Sequence, residues 1–436
     1  MTAAEIDDEY VVLEADLTAY LADGGRLAVI KAPPGSGKTH LLIAVIHGLV
    51  KDGLRVAVAA QTNAQADDIC RRSVERDASL LTVRFAAKGH EPPDDMPASV
   101  VWESDRKSLL HGVGVTVATT AKWALTNLDR PFDILAVDEA WQMGWADLMQ
   151  CALISERFML IGDPGQIPPV VTIDVRRWET SPRAPHDPAP NVVLRDPDLM
   201  RNAFSGSLPA CRRLPHESVD FIRPFYDFDF AAYVERGSRG VDLLRGHYLE
   251  ALRDGLPVAV TLPTPPEGPP LEVDHGIAEA AASLVEELLT GDSQVRRGNG
   301  SGRPLAGRDI GLTSSHRVMN SAIGQALAGR FPGVRVDTPE RWQGLERPLI
   351  IAVHPLSGVV APSAFDLETG RLCVMASRHQ AALIVVARDH IGRTLSDLVP
   401  SAEQAPGKPD VVGRGHDAHI RFWQQLEAAD RVIALA

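Results

Sequence analysis

A chain of 436 residues, 45% hydrophobic and 23% charged, has room for two or three soluble globular domains with cores that need no disulfide support. Its net charge of −13 excludes a surface coated for nonspecific nucleic-acid binding, though not a narrow basic channel. Four dispersed cysteines (Cys70, Cys151, Cys211, Cys373) form no disulfide framework and no zinc spacing, the acidic start MTAAEIDDEY has no apolar run, and no stretch reaches the length of a membrane span; the expectation is a cytoplasmic protein with buried thiols and no membrane partner.

Residues 8–23 place apolar side chains at helical spacing. The following stretch, LAVIKAPPGSGKTHLL from Leu27 to Leu42, reads as a buried strand, a tight turn and a helix that runs on to Lys51. In the turn Pro34-Gly35-Ser36-Gly37, the candidate phosphate loop, Gly35 and Gly37 let the backbone bend its N–H groups toward a phosphate, and the helix opening at Lys38, Thr39 and His40 adds its partial positive charge. Lys38 is then the bridge between the β- and γ-phosphates of ATP, and the Thr39 hydroxyl a ligand of Mg2+. Ala32 stands where the GxxxxGK[ST] pattern has its first glycine, and alanine keeps that position small.

Arg55–Ala60 reads as a second buried strand, and the polar turn after it (Thr62, Asn63) opens the helix DDICRRSVERD; a plain Thr/Asn cap accounts for that turn equally well. Residues 83–112 show Pro-Pro, Asp-Asp and no clear period, and read as a small insertion. Val115–Ala118 is a strand ending in Thr119-Thr120, and Phe132–Val137 is one ending in Asp138-Glu139. Two adjacent carboxylates at the end of a buried strand are costly unless a cation meets them, which makes Asp138 a candidate Mg2+ ligand and Glu139 a candidate base for the attacking water. An acidic cap on the next helix is the competing reading. Phe158–Ile161 is a further strand, followed by GDPGQIPP, whose Gln166 could sense the γ-phosphate.

In this order VIKAPPGSGKT, VAAQTNAQADDI, VDEAWQ and GDPGQIPPV resemble motifs I, Ia, II and III of superfamily 1 helicases, and DEAxQ with GDxxQ[LI]PP is similar to the up-frameshift-like subgroup, superfamily 1B. Residues 172–209 read as an irregular surface excursion, residues 238–270 as loop-rich with the proline-rich LPTPPEGPP, Ile277–Leu289 as a helix, and 291–308 as a solvated basic connection. Cys211–His216 resembles the family's QYRMHP segment, with Arg213 at its arginine. Asp309–Thr313, ending in Ser314-Ser315-His316, resembles motif IV. Asp337–Glu346 resembles motif V, and Arg371–Val386 resembles motif VI, with Arg378 at its arginine.

The resemblance implies an α/β protein of two recA-like P-loop NTPase domains, residues 1–209 and 210–436, each a parallel sheet flanked by helices. It implies that the first domain supplies Lys38, Thr39, Asp138, Glu139 and Gln166 to ATP, and the second supplies Arg213, Glu346 and Arg378. It also implies strand contacts from Thr62, Asn63, Thr119, Thr120, Ser314, His316, Thr338 and Gln343, each of which fits a turn or cap role as well. No glutamine precedes the phosphate loop where the family's adenine-reading residue lies, and no large accessory insertion is present. The expected activity is ATP-driven 5′-to-3′ movement on single-stranded DNA or RNA. The competing expectation is an ATPase module gating a protein partner such as a nuclease, without unwinding.

Overall fold

A computed structural model describes the chain except residues 110–111, 129–130, 172–173, 179, 244–246, 269–272, 299–301, 401–409 and 436. Its described residues divide into two compact units, Met1–Pro164 with Pro168–Pro209, and Gly165–Ile167 with those from Ala210 onward.

The strands of the first unit are β1 (Leu27–Lys31), β2 (Val56–Ala60), β3 (Thr82–Phe85), β4 (Val100–Glu103), β5 (Val115–Thr119), β6 (Ile134–Val137), β7 (Phe158–Gly162) and β8 (Phe204–Ser207). They form one eight-stranded sheet in the order β4-β3-β5-β2-β6-β7-β1-β8, with every pairing parallel. A parallel sheet needs both faces covered, so its central strands are apolar throughout instead of alternating. Ala28 and Ile30 of β1 face the helices Ala3–Ala22 and Lys38–Lys51, with Leu17, Leu41 and Ile46, while Val29 joins Trp123, Trp141 and Leu148 on the opposite face.

Two sequence expectations are corrected here. Residues 83–112, read as an insertion, carry β4 and most of β3 of the main sheet. The cue was hidden because β3 contains Arg84, a charge that does not look like core. It is 0% exposed, with its Nε 2.7 Å from the Asp67 carboxylate and its Nη2 2.8 Å from Asn63 Oδ1. Residues 172–209, read as a surface excursion, supply the helices Ala189–Arg195 and Pro197–Met200 and the edge strand β8, whose sequence FSGS is too polar to announce a strand. Residues 172, 173 and 179 of that stretch lie outside the described residues.

The second unit contains β9 (Ala210–Cys211), β10 (Ala231–Ala232), β11 (Arg239–Asp242), β12 (Val258–Leu262), β13 (Gln294–Arg297), β14 (Arg303–Pro304), β15 (Ile310–Thr313), β16 (Arg335–Asp337), β17 (Arg347–Val353), β18 (His379–Arg388) and β19 (Val432–Ala434). Its main sheet, again all parallel, has the order β16-β15-β17-β18-β12-β19. The helices His275–Thr290 and Arg317–Leu327 cover one face. The helices His216–Ile222, Thr369–Ala376 and Val411–Ala428 cover the other.

The loop-rich reading of 238–270 missed β12, an inner strand of this sheet. Pro257 and Pro263 bracket it without entering it, so no ladder donor is lost. The basic stretch 291–308 is not simply a solvated connection: β13 and β14 form an antiparallel sheet with β11, Arg296 Nε lies 2.8 Å from Asp242, and Arg303 pairs with Asp309 at 2.6 Å. Residues 299–301 of that stretch and the last two prolines of LPTPPEGPP lie outside the described residues. No helix among the described residues is long and apolar enough to cross a membrane.

Candidate nucleotide site

The site is built where β1, β6 and β7 end at the carboxyl edge of the first sheet, the edge at which parallel α/β sheets hold ligands. β1 leads into the turn Pro33–Gly37. Gly35 (φ +62°) and Gly37 (φ +89°) adopt left-handed conformations that a side chain would strain. Gly37 is also the N-cap of the 14-residue helix Lys38–Lys51 and offers no side-chain cap, so the first N–H groups of that helix are left for another acceptor. Ser36 is 3% exposed, and its hydroxyl has no hydrogen-bond partner. Pro34 is buried, Ala32 is fully buried and donates its N–H to the Gly162 carbonyl at 2.8 Å, and His40 is exposed with its ring 6.0 Å from that of Tyr10.

Lys38 Nζ lies 2.5 Å from Glu139 Oε1, and Thr39 Oγ1 lies 3.5 Å from Asp138 Oδ2. Both carboxylates are at most 5% exposed. Glu139 holds a left-handed backbone (φ +52°), which costs a non-glycine residue about 1–2 kcal/mol. Its N–H is tied to Asp138 Oδ1 at 2.9 Å. Burial, reinforced by the neighbouring Glu139, pushes the Asp138 carboxyl up to about 6 against the opposing pull of Lys38. Burial acts to discharge Lys38, yet Glu139, Asp138 and Asp163 outweigh it and hold its pKa above the ordinary lysine value.

Asp163, 2% exposed, is therefore a third carboxylate near the ammonium, to which the sequence reading gave no role. The signal lies in the GDPGQ segment, where the sequence reading assigns a role to Gln166 alone. Gly162 beside it is required by packing, since a Cβ there would lie 2.8 Å from the Ala140 nitrogen.

These donors fit a magnesium nucleotide. The uncapped helix start and the unpartnered Ser36 hydroxyl suit phosphate oxygens, and the buried acid beside the Thr39 hydroxyl suits a hard cation. No group of three or more His, Cys, Asp or Glu among the described residues forms a metal cage, which accords with a cation shared with phosphates.

The second unit gathers another part of the predicted set. Arg213 Nε lies 2.5 Å from Glu346 Oε2, its Nη1 donates to the Ser377 carbonyl at 3.1 Å, and the Gln380 amide donates to the other Glu346 oxygen. Burial works to raise the Glu346 carboxyl, but Arg213 and these hydrogen bonds hold it below the usual range. Arg378 follows Ser377 and is 2% exposed.

Gln166 is corrected in one respect, since it packs with the second unit and not with the first. Ile167 lies in that unit's core, the Gln343 amide donates to the Ile167 carbonyl at 3.5 Å, and the Tyr226 ring lies where a side chain on Gly165 would be. A Cβ on Gly370 would lie 2.7 Å from the Gln166 carbonyl oxygen. Alanine is the better helix former, but here it must push a backbone aside. Gly370→Ala is expected to cost about 1–3 kcal/mol and to lower the melting temperature in a thermal scan; an unchanged melt would show that the tripeptide is not held there.

The predicted strand contacts have local partners. Thr62 and Thr119 cap the helices Asn63–Arg76 and Thr120–Ala124, and the Thr120 hydroxyl donates to the Ala60 carbonyl at 3.4 Å. Ser314, 2% exposed, bonds Asn320; the His316 ring stacks on Phe365 at 5.6 Å; Thr338 is the N-cap residue of the turn Pro339–Trp342.

A family model described as AAA domain matches residues 14–177, within the first unit. Over 159 residues the chain is 30% identical to the DNA replication ATP-dependent helicase/nuclease DNA2 of Saccharomyces cerevisiae, an alignment covering 34% of this chain and 10% of that protein. Over 155 residues it is 27% identical to the protein of the same name from Homo sapiens, covering 33% and 14%. Among solved structures, Arterivirus nonstructural protein 10 (helicase) aligns with 87% of this chain and 62% of its own at a TM-score of 0.45 and 16% identity. The chain thus spans about a tenth of the length of the first of these relatives.

The phosphate loop, the acidic strand end facing it and the AAA match define a P-loop NTPase. Within that class, the ordered motifs resemble those of superfamily 1 helicases, and the first unit is similar in sequence to part of a replication helicase/nuclease.

Proposed function

We propose that the protein hydrolyses ATP with Mg2+ and, as a member of the 1B subgroup, uses it to move 5′ to 3′ along single-stranded DNA or RNA in the cytoplasm. The observation that carries this reading is the buried Lys38–Glu139 pair beside Asp138 at the start of an uncapped helix. A triphosphate entering this loop competes with Glu139 for the ammonium. Lys38 then neutralises phosphate charge, and the released carboxylate is free to take a proton from the attacking water. Thr39 and Asp138 would hold the Mg2+, which when bound neutralises charge on the phosphate oxygens.

In this reading Arg213 and Arg378 stabilise charge on the γ-phosphate, Glu346 fixes the orientation of Arg213, and Gln166 senses the phosphate. Arginines in that role contribute roughly 10³–10⁵ in rate for phosphoryl transfer generally. The names of these relatives refer to DNA replication and to helicase and nuclease activities, which supports a nucleic-acid track. The four cysteines are buried and form no disulfide among the described residues, which accords with a reducing compartment.

The test is steady-state ATPase with and without single-stranded DNA or RNA. Stimulation by a strand is expected, and Arg378→Ala should lose hydrolysis while keeping nucleotide bound through Lys38. Undiminished hydrolysis by Arg378→Ala would remove that arginine from the reaction. The net charge of −13 favours one competing reading, a nucleotide-gated module controlling a protein partner such as a nuclease. ATPase that ignores strands, together with no strand binding, would select it.

A further inference from the structure

Only seven of the 44 basic residues are lysines, and three of those seven follow neighbouring strands of the first sheet. β4, β3 and β5 are adjacent and parallel, with Phe85 of β3 level with Glu103 of β4. Three residues past the end of each comes a cation: Lys88 after β3, Arg106 (with Lys107) after β4, and Lys122 after β5. Neighbouring strands lie about 4.8 Å apart, so the regular offset sets the cations in a row along the carboxyl edge. This is the same edge that carries the phosphate loop further along the sheet.

The three strand ends are tied together. Lys122 of the β5 end lies 4.1 Å over the Phe85 ring of β3 and donates to the Ser104 carbonyl, just past β4, at 3.1 Å. Lys88, Arg106 and Lys107 are exposed, and neither Lys88 nor Lys107 forms an ion pair among the described residues. Asp105 stands among them and accepts the Lys107 backbone N–H at 3.0 Å, a bond that with Lys107, Lys88 and Arg106 holds its carboxyl below the usual value. Burial, and then the neighbouring Lys88, lower the Lys122 pKa against the opposing pull of Asp105. Of the other acids nearby, Asp95 is engaged by Arg71 at 3.3 Å.

We propose that Lys88, Arg106, Lys107 and Lys122 form a ledge that binds the phosphodiester backbone of a single nucleic-acid strand. Four cations presented in a row, on a molecule whose net charge is −13, suit a linear polyanion read by charge and not by sequence. This rests on the nucleic-acid reading above and adds residues to which the sequence reading gave no contact role. It also gives the segment read as an insertion a function.

The experiment measures the affinity of the full-length protein for fluorescent oligo-dT and oligo-rU across a salt series. It compares wild type with Lys88→Ala/Lys107→Ala and the charge-keeping Lys88→Arg/Lys107→Arg; both positions are exposed, so the variants should melt as wild type does. The alanine pair is expected to weaken binding on the order of tenfold at low salt and to reduce the slope of log affinity against log salt by about 1.4, two single-strand phosphate contacts. The arginine pair should restore both. Equal loss on both oligomers assigns the ledge to the backbone, and loss on one alone identifies DNA or RNA as its ligand. If wild type binds strands and the alanine pair matches it in affinity and slope, the ledge is wrong while the motor reading stands. If wild type binds neither oligomer, both fall.

Discussion

Replacing Glu139 by glutamine is expected to reduce ATP turnover by about 10²–10⁴, the range a positioned general base contributes, while nucleotide binding is kept or strengthened. The amide has nearly the shape of the carboxylate and cannot take a proton from water. It also cannot hold the Lys38 ammonium as an ion pair at 2.5 Å, so a contact with which ATP must compete is weakened. Lys38→Ala should behave oppositely, losing nucleotide affinity first. Steady-state hydrolysis together with titration of a fluorescent ATP analogue separates the two variants. Turnover of Glu139→Gln within about threefold of wild type, too little to be a lost base, would remove Glu139 from its assigned role.

Mild acid is expected to unfold the second unit through three buried histidines. Burial, with the nearby His419 and His390, holds His354 well below 6.5; burial with Arg213 and Arg239 puts His379 at about 3; burial with His416 puts His419 at about 3. His419 is fully buried with neither ring nitrogen hydrogen-bonded, and its ring meets His354 edge-on at 5.5 Å. All three are neutral in the folded protein, whereas in the unfolded chain they titrate near 6.5. The unfolded state therefore takes up protons first, so stability is full above about pH 6.5 and declines as pH falls below it toward the folded values. Each histidine contributes at most about 1.4 kcal/mol per pH unit, and three together roughly 4, a large part of a domain's total of about 5–15 kcal/mol. Urea unfolding at pH 7.5 and 5.5 measures the slope, and His419→Phe should flatten it. A stability independent of pH over that range would mean that these rings are charged or solvated in the folded protein.

The nucleotide half of the site was legible because its residues are contiguous. A strand, a glycine turn and a helix start need only local chemistry, and Asp138-Glu139 follows a run of apolar residues in a chain that already carries a phosphate loop, which favours a cation site over a helix cap. What escaped was set by pairing across distance in sequence. β3 is buried only because Arg84 meets Asp67, β12 is a strand only because β18 and β19 flank it, and the basic stretch from 291 orders only against β11. The allegiance of Gln166 could not be read either, since it depends on Tyr226, Gln343 and Gly370, all remote in sequence. Gly370, unremarkable just before the motif VI segment, carried that information only in three dimensions.

The tripeptide Gly165–Ile167 is chain that leaves the first unit after Pro164, belongs to the second, and returns at Pro168. The two units are therefore not consecutive stretches of chain, and no single cut separates them. A piece ending at Pro209 would expose Ile167 to water. A piece beginning at Ala210 would keep an empty slot beside Tyr226 and Gly370. Expressed separately, the halves should be poorly soluble or sticky, and a synthetic peptide spanning this loop should raise the melting point of the carboxyl-terminal piece.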